Sequence, residues 1–304
     1  MTPTAGSRVW FITGTSQGLG RALLEEILKS NERAVATLRK PEALASLADK
    51  YPPSQLLILP LDVTKQEQIV EAFAATERHF GRLDVVVNNA GYGLEGEIEA
   101  TSEEDARKQF EVLFWGPVHI MKEAIRLFRD VNPPGHGGRI LNISSCGGYA
   151  ANPTLAYYNA GKFALEGLTE AFTKEMLPEW NIKGIIIQPG GFRTEWYRSS
   201  LVKVPVHPKY DTPTSPSNVH RKMCEQPFIG DAAKAAKALM QVASMPEPPL
   251  RVQLGTESLL IVRAKARQTI RDGEKYEALS HSTNCDEVDR NSIIESFGRL
   301  WKDD

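Results

Sequence analysis

The sequence is poor in the features that mark several protein classes. Cysteine is scarce: Cys146, Cys224 and Cys285 are the only three among 304 residues. They are odd in number, far apart and never arranged as C-x-x-C, which argues against a disulfide framework and a structural zinc site. The six histidines form no H-E-x-x-H pair, so no metal is implied. Charge of one sign is missing too. Lys and Arg number 36 against 38 Asp and Glu, a net charge of −2, so no global basic field exists to attract nucleic acid or a membrane surface. No segment approaches about 18 uninterrupted apolar residues. Met1 to Ser7 is polar and lacks the layout of a secretion signal. A reducing, cytoplasmic setting is expected. What remains, 41% hydrophobic and 24% charged residues, is an ordinary soluble composition with ample material for a core.

The apolar residues alternate between two periods. Arg8 to Thr13 is a short apolar run ending in glycine, which reads as a buried strand. Leu19, Leu23 and Ile27 then recur at four-residue spacing with Glu25, Glu26 and Lys29 outward, the stripe of a helix packed on a sheet. The alternation continues through strands at 34–38, 56–61, 83–88 and 139–143, and helices at 41–50, 65–80, 102–129 (one helix or two) and 157–177. Continuous apolar strands such as Val85-Val-Val87 and Ile185-Ile-Ile187 suit a parallel sheet covered on both faces. From Arg198 to Pro227 the pattern dissolves among five prolines, as in a functional lid or a disordered loop. Helix at 231–243, strand at 250–254 and helix at 257–279 follow. The expected architecture is α/β: a single Rossmann-type doubly wound parallel sheet with helices on both faces, one domain over 1–304. It carries a substrate lid at about 196–228 and a C-terminal extension at about 256–304.

Two local patterns carry chemistry. Gly14-Thr-Ser16-Gln17-Gly18-Leu19-Gly20 lies between the first strand and the first helix, where glycine permits a tight turn. Backbone N–H groups and the positive helix end can there approach a pyrophosphate. Tyr158 and Lys162 are four apart and share a helix face. A nearby ammonium stabilises phenolate, so the tyrosine pKa is expected to fall from its free value of about 10, suiting it to proton exchange with a carbonyl oxygen. Tyr157 is the rival register, but its partner four residues on is Gly161, which supplies no charge.

These motifs, with Asn88-Asn89-Ala90-Gly91 after the fourth strand and Pro189-Gly190 after the sixth, resemble the classical short-chain dehydrogenase/reductase family over roughly Arg8 to Thr194. The resemblance implies catalysis by Tyr158, Lys162 and Ser145, the serine thirteen residues ahead of the tyrosine. Ser144 is then expected to satisfy backbone, and Cys146 to be a small buried residue. The resemblance further implies that Asp62 and Val63 flank the adenine and that Asn89, Ala90 and Gly91 line the cofactor cleft. Phe192 and Thr194 hold the carboxamide beside Pro189 and Gly190, Lys162 bonds the nicotinamide ribose, and Lys122 stands near it. Structural alternatives are Asp62 as a cap near Thr64, Asn88 as a bond between strands and Lys122 as a solvated charge.

Cofactor choice turns on the end of the second strand. Leu38 and Arg39 stand there with no carboxylate until Glu42, which favours NADP(H) over NAD(H), because arginine suits a 2′-phosphate. One departure from the family pattern is Leu113, three residues before Gly116, where the family carries an asparagine of its proton relay. The expected activity is NADP(H)-linked interconversion of a carbonyl and an alcohol. Trp196, Tyr197, Val202, Val204 and Phe228 in the lid point to an apolar, cyclic or polyketide-like substrate, the alternative being an apolar loop that packs on its own core. Alternatives are a non-redox proton transfer (isomerisation, dehydration or cyclisation) on the same fold, because of Leu113, and an NADP-sensing binding protein. The resemblance also implies a homodimer or homotetramer, unless the extension blocks it.

Overall fold

The structure is a computed structural model that describes residues 7–286 and 289–298. The N-terminal segment read for a secretion signal lies outside the described residues up to position 6, as do residues 287–288 and 299–304 of the expected extension.

Strand β1 (Val9–Thr13) is buried along its whole length, as an apolar strand in the middle of a covered sheet must be. A glycine turn leads to α1 (Gly18–Lys29), whose Leu23, Leu24, Ile27 and Leu28 face the sheet. The chain continues through β2 (Arg33–Leu38), α2 (Ala45–Ala48), β3 (Leu56–Pro60), α3 (Gln66–Phe80) and β4 (Val85–Asn88). Next come β5 (Gly93–Glu95), α4 (Glu103–Phe110), α5 (Gly116–Arg126), β6 (Gly138–Ile143), α6 (Ala156–Glu175) and β7 (Ile182–Pro189). The remainder comprises α7 (Trp196–Ser199), β8 (Leu201–Lys203), α8 (Pro216–Cys224), α9 (Ala232–Ala243), β9 (Arg251–Leu254), α10 (Thr256–Lys275), α11 (Glu277–His281) and α12 (Arg290–Gly298).

Seven strands form one parallel sheet in the order β3-β2-β1-β4-β6-β7-β9. Successive side chains of β1 alternate between its two faces. Trp10 and Ile12 enter one apolar layer with Leu23 and Ile27 of α1 and Leu239 of α9. Val9 and Phe11 enter the other with Phe73 of α3, Ile120 of α5 and Phe172 of α6. The doubly wound expectation is therefore met. Its strand order reverses between β1 and β4, and in such sheets the crevice outside the strand carboxyl ends at that reversal is the ligand site.

The differences are local. The helix expected at 41–50 is a 3-10 turn followed by the single turn of α2. The long helix at 102–129 is interrupted twice by wider turns, Glu111–Trp115 and Leu127–Val131. Pro117 explains the first: it has no N–H to give the Leu113 carbonyl, and Gly116 N–H instead reaches back to the Glu111 carbonyl. Within the segment read as irregular, β8 pairs in parallel with β5, Gly93 opposite Leu201, and α8 forms behind a Ser215 cap whose hydroxyl accepts the Asn218 N–H. The chain divides into two units, Met1–Val262 and Arg263–Asp304. Among the described residues no helix is long and apolar enough to cross a membrane, and no three His, Cys, Asp or Glu side chains stand together to hold a metal.

Candidate active site

A cavity of about 890 Å³ opens along the carboxyl ends of β1, β2, β4, β6 and β7. Its floor is the glycine turn. Gly14 has φ +69°, and a Cβ there would lie 2.9 Å from Ala90 Cα, so only glycine lets the two loops touch. The contact is locked by hydrogen bonds. Asn89 Nδ2 donates to the Thr13 carbonyl at 2.9 Å and to that of Gly14 at 3.0 Å, while Thr13 Oγ1 accepts the Asn89 and Ala90 N–H groups, both at 3.0 Å. Helix α1 starts with no side-chain cap from Gln17 and no acidic residue in its first turn. Its free N–H groups and positive end therefore favour an anion on the cavity side, where Gly18 and Leu19 lie. This donor set fits the pyrophosphate of a dinucleotide.

Gly14, Ser16, Gln17, Gly18, Leu19, Arg39, Asp62, Val63, Asn89, Ala90 and Gly91 all line this cavity, as do Ser145, Tyr158, Lys162, Pro189, Gly190, Phe192 and Thr194. Two of the residues expected here do not. Gly20 is a packing glycine whose Cβ would collide with the Asn89 amide. Lys122 is exposed on α5, outside the cavity lining, because its neighbours Ile120, Met121 and Ala124 take the inward face. Asp62 also serves as a turn cap, accepting from Thr64 N at 3.0 Å and Thr64 Oγ1 at 2.8 Å. Asn88 joins two strands through its 2.8 Å bond to Asn142.

Helix α6 carries both Tyr158 and Lys162. Tyr158 and Lys162 are 7% and 5% exposed, and Tyr157 instead leans toward the Ile98 carbonyl at 3.5 Å, outside the lining. The Tyr158 phenol is pushed up to about 12, chiefly by burial, which outweighs the lowering influence of the Ser145 hydroxyl. Lys162 is lowered to about 8 by burial, against the Glu166 carboxylate, which raises it. The expected fall of the tyrosine pKa is thus reversed in this structure. Phenolate is costly in so dry a site, and the lysine donates to the Ile143 carbonyl at 2.6 Å rather than to the phenol.

Leu113 is 1% exposed and shares an apolar cluster with Tyr158, Leu155 and Leu201. Ser144 departs from expectation: its hydroxyl donates to Glu166 at 2.6 Å, not to backbone. Gln188 donates to the same carboxylate at 2.9 Å. Cys146 is partly exposed in the cavity wall rather than a fully buried filler, because the loop after β6 turns toward the opening.

The segment 196–228 supplies another wall. Trp196 meets the Tyr158 ring edge-on at 5.6 Å between centres, and Val202 and Phe228 also line the cavity. Tyr197 and Val204 do not. Tyr197 is drawn away by its 3.3 Å bond to Glu95, and Val204 packs over Gly96. Residues that the sequence did not announce complete the wall: Leu155, His220, Met223, Cys224, Ile229 and Glu257. His220 is held by Thr154 at 3.1 Å and by Cys224 at 3.6 Å. This segment is fastened by Arg221, which meets Glu95 at 3.1 Å and Glu97 at 2.7 Å, all with little exposure.

Comparison with known proteins places the chain in a family. A sequence model of the short chain dehydrogenase family matches residues 8–203. The chain is 40% identical over 284 residues to an uncharacterized oxidoreductase of Schizosaccharomyces pombe, covering 93% of this chain and 94% of that one. It is 36% identical over 280 residues to the oxidoreductase calM of Penicillium decumbens, covering 89% and 91%. A short-chain dehydrogenase structure from Streptomyces avermitilis superposes with a TM-score of 0.84 at 32% identity, over 92% of this chain and 99% of that one.

Proposed function

This chain belongs to the short-chain dehydrogenase/reductase family of oxidoreductases, and from that premise we propose that it interconverts a carbonyl and an alcohol with NADP(H), Tyr158 exchanging the proton. The observation that carries this reading is the meeting of Tyr158, Ser145 and Lys162 in the same cavity as the glycine turn. A nicotinamide dinucleotide, when bound, supplies or accepts the hydride.

Each residue then has a physical task. The N–H groups at the start of α1 hold the pyrophosphate. Arg39, exposed at the end of β2 without a neighbouring carboxylate, pairs with the 2′-phosphate, and Asp62 and Val63 flank the adenine. Phe192 and Thr194 hold the carboxamide. In reduction, the Tyr158 O–H would donate its proton to the substrate oxygen. A phenol pushed up to about 12 is protonated at neutral pH, the state that reduction needs. Ser145 donates to the same oxygen and orients it. Lys162 bonds the nicotinamide ribose and stabilises charge arising on the phenol.

The substrate wall is Trp196, Val202, Met223, Phe228 and Ile229, with the thiol of Cys224 and the imidazole of His220. Because no Lys or Arg stands among these, an uncharged, apolar or cyclic ketone fits better than a carboxylate or phosphate ester. The reading includes a cytoplasmic setting and a homo-oligomer, which light scattering would test.

The deciding experiment follows reduced-nicotinamide absorbance while a panel of apolar and cyclic ketones is offered with NADPH or NADH. Consumption of NADPH in step with alcohol formation supports the proposal. Conversion of substrate without cofactor consumption would mean a proton-transfer enzyme, and binding without conversion a sensor. Preference for NADH would overturn the role of Arg39.

A further inference from the structure

Helix α10 begins directly after β9, and its second residue reaches back into the crevice. Glu257 Oε1 accepts the Gly191 N–H at 2.7 Å. The approach is tight, since a Cβ on Gly190 would lie 2.5 Å from that oxygen. The other oxygen, Oε2, is shut off from solvent and has no hydrogen-bond partner, although the residue lines the cavity. Burial is the main cause that pushes the Cys146 thiol up, and the Glu257 charge adds to it. The carboxylate therefore lies within electrostatic reach of the Ser145–Cys146 turn while it grips the Gly190–Gly191 turn. A buried carboxylate oxygen without a donor is strongly unfavourable, and a carboxylate can only accept.

We propose that Glu257 is a positioning residue for the cofactor: Oε1 fixes the turn that precedes Phe192, and the carboxylate sets a negative charge beside the place of the nicotinamide ring. The inference rests on the dinucleotide reading above and adds to it a preference between oxidation states. The oxidised nicotinamide ring is positively charged and the reduced ring is neutral, so a carboxylate beside that ring favours the oxidised form.

The test is the dissociation constant of NADP+ relative to NADPH, measured by calorimetric titration for the unaltered protein, Glu257→Gln and Glu257→Asp. The glutamine variant still accepts from Gly191 but has lost the charge, and NADP+ is expected to weaken about fivefold relative to NADPH. The aspartate variant keeps the charge and should keep the preference. Adenosine 2′,5′-bisphosphate, which has no nicotinamide, should bind every variant within about twofold of the unaltered protein. An unchanged ratio in Glu257→Gln, or a parallel loss of the bisphosphate, would overturn the proposal.

If the unaltered protein binds neither NADP nor NAD, the cofactor reading itself fails. If it prefers NAD, only the Arg39 assignment fails, and the ratio is read with NAD+ and NADH.

Discussion

Lys162 Nζ donates to the Ile143 carbonyl at 2.6 Å while standing 5.7 Å from the centre of the Tyr158 ring. The bond ties α6 to the end of β6 and holds the phenol beside Ser145, so these groups are set by packing before any ligand arrives. Replacing Tyr158 by Phe removes only the hydroxyl. Turnover should fall by about a hundredfold or more, while NADPH affinity measured by titration stays within about twofold. Retained turnover would remove Tyr158 from the proton path.

Leu113 fills the space between α4–α5 and α6: a Cβ on Gly161 would lie 3.3 Å from its side chain, and one on Gly91 3.0 Å. A polar side chain at 113 would have to find partners in an apolar cluster, whereas leucine needs none. Leu113→Ala should therefore cost about 3 kcal/mol in urea unfolding, the usual penalty of a buried Leu truncation. It should also lower kcat more than it raises the KM for NADPH, because the Tyr158 ring loses its backing. A variant as stable as the parent would mean that the cluster does not hold the tyrosine.

The sheet was legible because each strand carries its own signal: Val85-Val-Val87 and Ile185-Ile-Ile187 are buried on both faces wherever they pair. The glycine turn and the Tyr158–Lys162 spacing were legible for the same reason, being local. Glu257 and the Arg221 clamp were not, since they join residues 66 and 126 positions from their partners, and no spacing rule links a carboxylate in one helix to a turn in another. Helix α8 was legible in principle. Ser215 followed by Pro216 is a cap with proline at the first helical position, but the surrounding prolines hid it. The three-residue strands β5 and β8 exist only through each other, so neither had a pattern of its own. The wide turn at Leu113 arises from a missing N–H at Pro117, an effect visible in sequence only once the helix is known to run through it.

Arg39 is exposed, so its attraction for a 2′-phosphate is weakened by solvent but still charge-assisted. Arg39→Leu should raise the KM for NADPH about tenfold, equivalent to about 1.4 kcal/mol, and leave that for NADH nearly unchanged. The effect should shrink with added salt. Equal effects on both cofactors would place the 2′-phosphate elsewhere.

Arg221 meets two carboxylates from the segment around β5. Burial pushes Glu97 up, yet its bond to Arg221 and those to backbone hold it below its ordinary value. Removing the guanidinium leaves two buried carboxylates uncompensated. Arg221→Met should cost about 3 kcal/mol or more, and should raise the KM for the carbonyl substrate while cofactor affinity is kept, because α8 contributes Met223 and Cys224 to the substrate wall. A loss of cofactor affinity as large as that of substrate would mean that the clamp supports the whole crevice rather than the lid.

The buried lysine sets a pH dependence with a definite sign. Lys162 takes up its proton below about 8 in the folded chain, against 10.5 for an ordinary lysine. Between these values the unfolded chain binds more protons, so stability climbs as pH rises through that window. The full gain approaches about 3 kcal/mol, at about 1.4 kcal/mol per pKa unit. Tyr158 acts oppositely: its phenol, pushed up to about 12 from 10.0, keeps its proton in the folded chain after the unfolded chain has released it, so stability falls across that higher window. Other groups titrate as well, and the clean quantity is the difference between the parent and Lys162→Met. That difference in Tm should move in favour of the parent between pH 8 and pH 10 and stay level below pH 7. A level difference throughout would mean that the ammonium escapes to water, and with it would go the argument that burial, rather than a partner charge, governs this site.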